Sequence, residues 1–192
     1  MNSDQASIVS TLKTLLENNT AKVLENIAPR VAAAVLVPFC FFDNEWHLLF
    51  TKRTTGVAKH QGEISFPGGA ADDGDADLIE TAVREACEEI GLCSDSIDVL
   101  GVMEPVPTVS NYCILPVVGV IHWPTELRLN PSEVDDVLLI PVKWLRNDNN
   151  WHIEEFHFAT GKSKPVIHYE NFNGEHLWGI TASLAQKITA KL

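Results

Sequence analysis

No stretch of this chain runs to about 18 consecutive apolar residues, and its first residues, Met1-Asn2-Ser3-Asp4-Gln5, lack the positive start of a signal peptide. Neither a membrane-spanning helix nor a secretory leader is expected. Cations are in short supply: 14 Lys and Arg stand against 26 Asp and Glu, a formal charge of −12 with a pI near 4.9. That imbalance argues against nucleic acid or an anionic membrane as a partner, because both bind through basic surface. Cys40, Cys87, Cys93 and Cys113 include no Cys-x-x-Cys spacing. They are expected to be reduced thiols of a cytoplasmic protein, without disulfides. Internal repeats and low-complexity tracts are missing as well. What is left is a chain of 192 residues, sufficient for a single domain with a substantial core.

Carboxylate is what the chain has in quantity, and one segment concentrates it. Arg84-Glu85-Ala86-Cys87-Glu88-Glu89-Ile90-Gly91-Leu92 follows Phe66-Pro67-Gly68-Gly69 across an acidic, glycine-containing loop. At about 100° per residue, Glu85, Glu88 and Glu89 fall within an arc of roughly 100°, while Ile79, Ala82, Val83, Ala86 and Ile90 share the neighbouring arc. Two like charges about 4 Å apart repel by about 1 kcal/mol in water and about 4 kcal/mol at an effective dielectric of about 20. Arg84, one turn before Glu88, relieves part of that repulsion. A hard divalent ion such as Mg²⁺ or Mn²⁺, which prefers carboxylate oxygen, would relieve the rest.

Asp77 is placed as N-cap, with Glu80 completing an acidic capping box, and Gly91 as a left-handed C-cap, which predicts a helix from Leu78 to Ile90. A short strand from Glu63 to Phe66 is expected to stop at Pro67-Gly68-Gly69, where paired glycines open backbone conformations closed to other residues.

The segment Gly69 to Leu92 resembles the Nudix box, the loop-helix signature of hydrolases that split diphosphates linked to another moiety. Arg84 through Leu92 fits that pattern throughout, whereas the front half departs from it. Asp75 stands where the family has Glu, and eight residues rather than seven separate it from Arg84. This longer, Asp-containing loop is similar to the coenzyme A pyrophosphatase branch. So are Leu49-Phe50-Thr51-Lys52-Arg53, Gly62 and Phe66-Pro67-Gly68-Gly69 upstream, and His60 sits where that branch often has histidine. A second arginine of the branch is replaced by Ala58, with Lys59 next to it, and lysine does not reproduce a guanidinium fork.

The resemblance implies an α/β (α+β) fold, an α/β/α sandwich with a mixed sheet, and Mg²⁺ or Mn²⁺ as cofactor. It implies Glu85 and Glu89 as principal metal ligands, Glu88 as a further one, and the Gly69 carbonyl as a contributor. Arg84 would orient a glutamate of the helix. Arg53, Lys59, Gly68 and Gly69 are the candidate substrate contacts, with Lys52 as a further nearby cation. Glu133, in Pro131-Ser132-Glu133-Val134-Asp135-Asp136, is the candidate general base, a loop carboxylate able to reach across to the metals.

Around this centre, Ser7 to Ile27 has the spacing of one or two helices. Strands are expected at Val31 to Phe42, Trp46 to Lys52, Ile97 to Val102, Tyr112 to His122, Val137 to Pro141 and His152 to Phe158. A helical turn near Val142 to Arg146 and a final helix from His176 to Lys191 complete the layout. Residues 1–30 are read as a helical segment packed on a hydrolase domain of residues 31–192. The expected function is metal-dependent cleavage of the pyrophosphate of coenzyme A or its derivatives. The alternatives are the same chemistry on ADP-ribose or a dinucleotide, and a non-catalytic ligand sensor. A homodimer is a possible assembly, since members of this family often dimerise. The C-terminal Ala190-Lys191-Leu192, one residue from a peroxisomal address, gives a second location beside the cytoplasm.

Overall fold

The computed structural model describes residues 3–17, 29–54, 61–157 and 163–192. Along the chain it places α1 (Ser3–Leu16), β1 (Val31–Phe42), β2 (Glu45–Arg53), β3 (Ile64–Ser65), β4 (Gly68–Ala70) and α2 (Leu78–Ile90). These are followed by β5 (Ile97–Val102), β6 (Val106–Pro107), β7 (Tyr112–Ile121), β8 (Val134–Pro141), α3 (Val142–Leu145), β9 (Trp151–His157), β10 (Ser163–Tyr169) and α4 (Gly179–Thr189).

β1 and β2 form a hairpin whose two-residue loop, Asp43-Asn44, has φ of 49° and 61°. Consecutive left-handed residues are what such a turn demands, and Asp and Asn tolerate them. The hairpin opens as it leaves the turn. β1 pairs with β2 from Phe42 back to Phe39, then turns its Ala33–Val35 stretch to β4, while the Thr51-Lys52 end of β2 pairs with β3. β3 and β4 therefore fill a wedge between the two strands. On its other edge β1 runs parallel to β7 over nine residue pairs, from Val31↔Tyr112 to Phe39↔Val120. β5 and β6 pair with β7, β8 pairs with β2, and all of these are antiparallel. The result is a sheet of eight strands, mixed as the family resemblance implies.

Alternating side chains of β1 supply two cores. Ala34, Leu36 and Cys40 join Leu78, Ala82, Ala86 and Ile90 of α2 on one face. Val37 and Phe39 join Leu12 and Leu16 of α1 and Leu184, Ala185 and Ile188 of α4 on the other. Each fully buried Leu or Ile contributes roughly 1.5–3 kcal/mol, so the two helical layers are held by the same strand from opposite sides. That is the α/β/α sandwich. No helix among the described residues is long and apolar enough to cross a membrane.

Elements toward both ends of the chain differ from the sequence prediction. The first helix starts at Ser3, and residues 18–27 of the expected helical stretch lie outside the described residues. The last helix begins at Gly179 rather than His176, because Leu177 and Trp178 are extended and bonded to β10: Tyr169 N–H donates to Leu177 O at 2.9 Å and Trp178 bridges His168. β10, a segment for which the sequence layout holds no strand, pairs with β9 from Ser163↔His157 to Tyr169↔Trp151.

Candidate active site

α2 is closed at both ends in the way its sequence requires. The Asp77 carboxylate accepts from the N–H groups of Ile79 and Glu80 at 2.8 and 2.9 Å, and Glu80 reaches back to the N–H of Ala76 at 2.7 Å. At the far end Gly91 takes φ 71°, its N–H donating to Cys87 O at 3.0 Å. The last carbonyls, which no helix can satisfy internally, are taken by an incoming loop: Arg128 N–H donates to Ile90 O at 2.9 Å and Asn130 N–H to Glu89 O at 2.8 Å.

The same reversal at Gly91 corrects one expectation. Cys87 and Cys93, six apart in sequence, are joined in a disulfide with their Cα atoms 4.4 Å apart. The left-handed cap folds Cys93 back over the last helical turn, a proximity that no Cys-x-x-Cys rule detects. Cys40 and Cys113 are buried free thiols, and burial pushes the Cys40 thiol up to about 12.

Pro67-Gly68-Gly69, expected as a turn, is largely strand. β4 lies so close to β1 and α2 that a side chain at Gly68 would strike backbone and one at Gly69 would have to displace the Glu85 carboxylate. A Cβ on Gly68, at φ 155°, would stand 2.3 Å from the Ala34 carbonyl oxygen, and one on Gly69 would stand 2.5 Å from the Glu85 carboxylate. Glycine here is a condition of bringing bare backbone against two carboxylates: Gly68 N–H also donates to Glu89 at 3.3 Å.

Arg84 holds this arrangement with all five of its N–H donors. Nε and Nη2 grip Asp75 at 2.8 and 3.1 Å, Nη1 reaches Glu85 at 2.9 Å and Glu88 at 3.2 Å, and Nη2 also donates to Ala70 O at 3.2 Å. Asp75, the residue that departs from the family pattern, has a side chain only 6% exposed. It accepts further bonds from the Thr81 hydroxyl at 2.8 Å and the Asp72 N–H at 2.9 Å. The Arg84 guanidinium, aided by these donors, holds its carboxyl well below the ordinary value of 3.8. Asp75 is thus the anchor of Arg84. Sequence reasoning left it without a role because the loop is one residue longer than the pattern.

The other carboxylates are driven the opposite way. Glu89 is 4% exposed. Burial pushes it up from 4.5 to about 7, with the Gly68 N–H and the charge of Arg53 opposing and those of Glu85 and Glu133 adding. Glu85 is raised as well, chiefly by burial, opposed by Arg84 and reinforced by Glu88 and Glu133. Glu88 stands apart, with a side chain 60% exposed and held by Arg84. Arg53 and Glu133 thus make themselves felt at the two helix carboxylates. Thr54 N–H donates to Glu133 O at 2.9 Å, which ties the two segments together. The Nε of Arg53 is shielded from solvent and has no hydrogen-bond partner among the described residues. Lys52, expected among the cations of the site, is instead ion-paired with Glu175. Ala58, Lys59 and His60 lie outside the described residues.

Among the described residues, no three His, Cys, Asp or Glu side chains are gathered tightly enough to hold an ion as they stand. The donor set nonetheless fits a hard divalent cation. Two desolvated carboxylates stand one turn apart against a backbone cradle that a Cβ at Gly69 would fill, and such oxygen donors match Mg²⁺ and Mn²⁺.

Sheet, sandwich and carboxylate helix together define an α/β/α protein with a candidate site for a divalent cation. The NUDIX domain model matches residues 30–159, more than half of the chain, and the protein belongs to the Nudix hydrolase family. A relative from Pectobacterium atrosepticum, named uncharacterized Nudix hydrolase NudL, is 32% identical over 163 residues, spanning 83% of this chain and 82% of its own length. The protein of the same name from Escherichia coli O1:K1 is 34% identical over 162 residues, with the same two coverages. The crystal structure of a MutT/nudix family protein from Enterococcus faecalis superposes with a TM-score of 0.54 at 12% identity, covering 99% of this chain and 74% of that one. At that identity the likeness speaks to the fold.

Proposed function

We propose that this protein is a divalent-metal-dependent pyrophosphatase whose substrates are nucleoside diphosphates linked to another group, with coenzyme A and its derivatives as the preferred class. The observation that carries the reaction is the pair of carboxylates that burial raises together, half-buried Glu85 and buried Glu89, facing the Gly68-Gly69 backbone beside Arg53 and Glu133. Support for the substrate class is the upstream signature Leu49-Phe50-Thr51-Lys52-Arg53 with Phe66-Pro67-Gly68-Gly69. The uncharged Ala58, where that branch carries a guanidinium, favours a second reading in which ADP-ribose or a dinucleotide is cleaved by the same chemistry.

Glu85 and Glu89 would hold the metal, Mg²⁺ or Mn²⁺, with Glu88 and the Gly69 carbonyl as further ligands. A bound divalent ion at such a site neutralises phosphate oxygens and makes a water more acidic. Glu133 takes the proton of the attacking water, whose oxygen forms the new P–O bond as the anhydride P–O bond breaks. The leaving phosphate departs with its electron pair, giving an adenosine diphosphate fragment and a phosphopantetheine fragment. Arg53 and Lys59 meet the phosphates. Arg84, fixed by Asp75, keeps Glu85 and Glu88 from turning away. The catalytic residues all fall within 31–192, and α1 packs on that body through Leu12 and Leu16, which share its core.

The test is to incubate the purified protein with Mg²⁺ or Mn²⁺ and a panel of coenzyme A, ADP-ribose, reduced dinucleotide and nucleoside triphosphates, and to identify the products. Preferential release of phosphopantetheine supports the first reading, and preferential cleavage of another diphosphate supports the second. Binding without turnover of any compound would show a ligand sensor and overturn both.

A further inference from the structure

We infer that Asn130 is a positioning residue, coupling the end of the catalytic helix to Glu133 and fixing where that carboxylate stands. The inference rests on the reading of Glu133 as proton acceptor. Asn130 joins both sides of the site at once. Its N–H closes the carbonyl of Glu89 at 2.8 Å, and its own carbonyl accepts from the N–H groups of Glu133 at 3.0 Å and Val134 at 2.9 Å. The side chain completes the link. Oδ1 accepts from the Ser132 N–H at 3.2 Å and the Ser132 hydroxyl at 2.7 Å, and Nδ2 donates to Glu133 Oε1 at 3.3 Å.

The orientation of that amide follows from its neighbours. A backbone N–H only donates and an ionised carboxylate only accepts, so the oxygen must face Ser132 and the NH₂ must face Glu133. The bond to Asn130 is the hydrogen bond that holds the Glu133 carboxylate among the described residues. It works against a real force, because the charge of Glu133 opposes charge on both Glu85 and Glu89. Without the amide, a glutamate with three free torsions would relieve that repulsion by turning outward. A neutral donor on a turn anchored to the helix keeps it directed inward.

Asn130→Asp is the discriminating substitution. It keeps an oxygen for Ser132 and replaces the donor facing Glu133 by a repelling carboxylate. Asn130→Ser, whose hydroxyl preserves a local turn on a shorter side chain, gives an independent reading. Each is measured for kcat, KM and melting midpoint on the best substrate of the panel, alone and combined with Glu133→Gln.

We expect kcat to fall by about 10- to 100-fold, since small displacements of a reacting group carry penalties of that order, with KM and the midpoint little changed. In the Glu133→Gln background the same substitutions should change kcat by less than about twofold, because residues that act as one unit are not additive. Wild-type kcat in both Asn130 variants, with Glu133→Gln slow, overturns the role of Asn130 alone. Equal losses in the two backgrounds overturn it too, by showing that Asn130 acts elsewhere. Wild-type kcat in Glu133→Gln itself removes Glu133 as proton acceptor, and the positioning role goes with it.

Discussion

Consider Glu89, a residue 4% exposed whose carboxyl is lifted by burial from 4.5 to about 7. A folded value above the unfolded one means that the protonated group favours the fold. Its contribution is complete below about 4.5 and is lost as pH climbs through about 7. At about 1.4 kcal/mol per pH unit, the gap between those values amounts to about 3 kcal/mol of stability missing from the metal-free protein at pH 8. Glutamine is neutral at every pH and keeps an oxygen for the Gly68 N–H. Glu89→Gln should therefore unfold about 6 to 12 °C later than wild type at pH 8 in the presence of a chelator, given the usual shift of about 2 to 4 °C per kcal/mol for a chain of this size. At pH 4.5 the two proteins should unfold together. The variant should also have lost turnover while remaining folded. Adding Mg²⁺ at pH 8 should raise the midpoint of wild type, since an ion that binds only the native state stabilises it, and should leave the variant nearly unmoved. Calorimetric scans at the two pH values, with chelator and with Mg²⁺, measure all of this. A midpoint difference of the same size at pH 4.5 and pH 8, or wild-type turnover in the variant, would refute the argument.

Gly69→Ala should leave stability close to wild type, because the atoms its Cβ meets belong to the movable end of Glu85. Displacing that carboxylate by about 1 Å should lower kcat by about 100-fold, a split visible by comparing melting curves with initial rates. Cys93→Ser opens the ring that closes over the end of α2 and should cost about 2 kcal/mol of stability by chain entropy. Denaturant titrations should show a reductant bringing wild type down to the variant and leaving the variant itself unchanged. Asp75→Asn strips Arg84 of its anchor and should lower both kcat and the midpoint at pH 7. Because the Asp75 carboxyl is held below its ordinary 3.8, its contribution is present above that value and lost as pH falls through the depressed one. The two midpoints should accordingly converge in strong acid.

The parts of the fold legible in the sequence are those whose signals are local. α2 begins at Leu78, ends at Ile90 and is capped by Asp77 and Gly91 as predicted, because caps and apolar period lie within a few residues of each other. β1 and β5 follow their apolar runs for the same reason. What escaped depends on partners far along the chain. β4 is strand only because β1 bends away from β2 and offers an edge to two glycines. β10 carries polar and exposed residues that take strand form by pairing with β9. In the site, the three helix glutamates and Arg84 announce themselves by spacing. Asp75 sits one residue out of the pattern, Asn130 has no signature beyond a turn, and the approach of Cys93 to Cys87 exists only once Gly91 has reversed the backbone.

The parallel pairing of β1 with β7 has a bearing on the order in which this molecule assembles. Val31 meets Tyr112, and the same offset holds through Phe39 and Val120, so the whole glycine and glutamate motif lies on the loop that this pairing closes. Contacts so distant in sequence form slowly, because their closure entropy comes before any of their reward. A chain cut short of Tyr112 carries Arg84, Glu85, Glu88 and Glu89 intact, yet leaves one long edge of their supporting strand bare over nine positions.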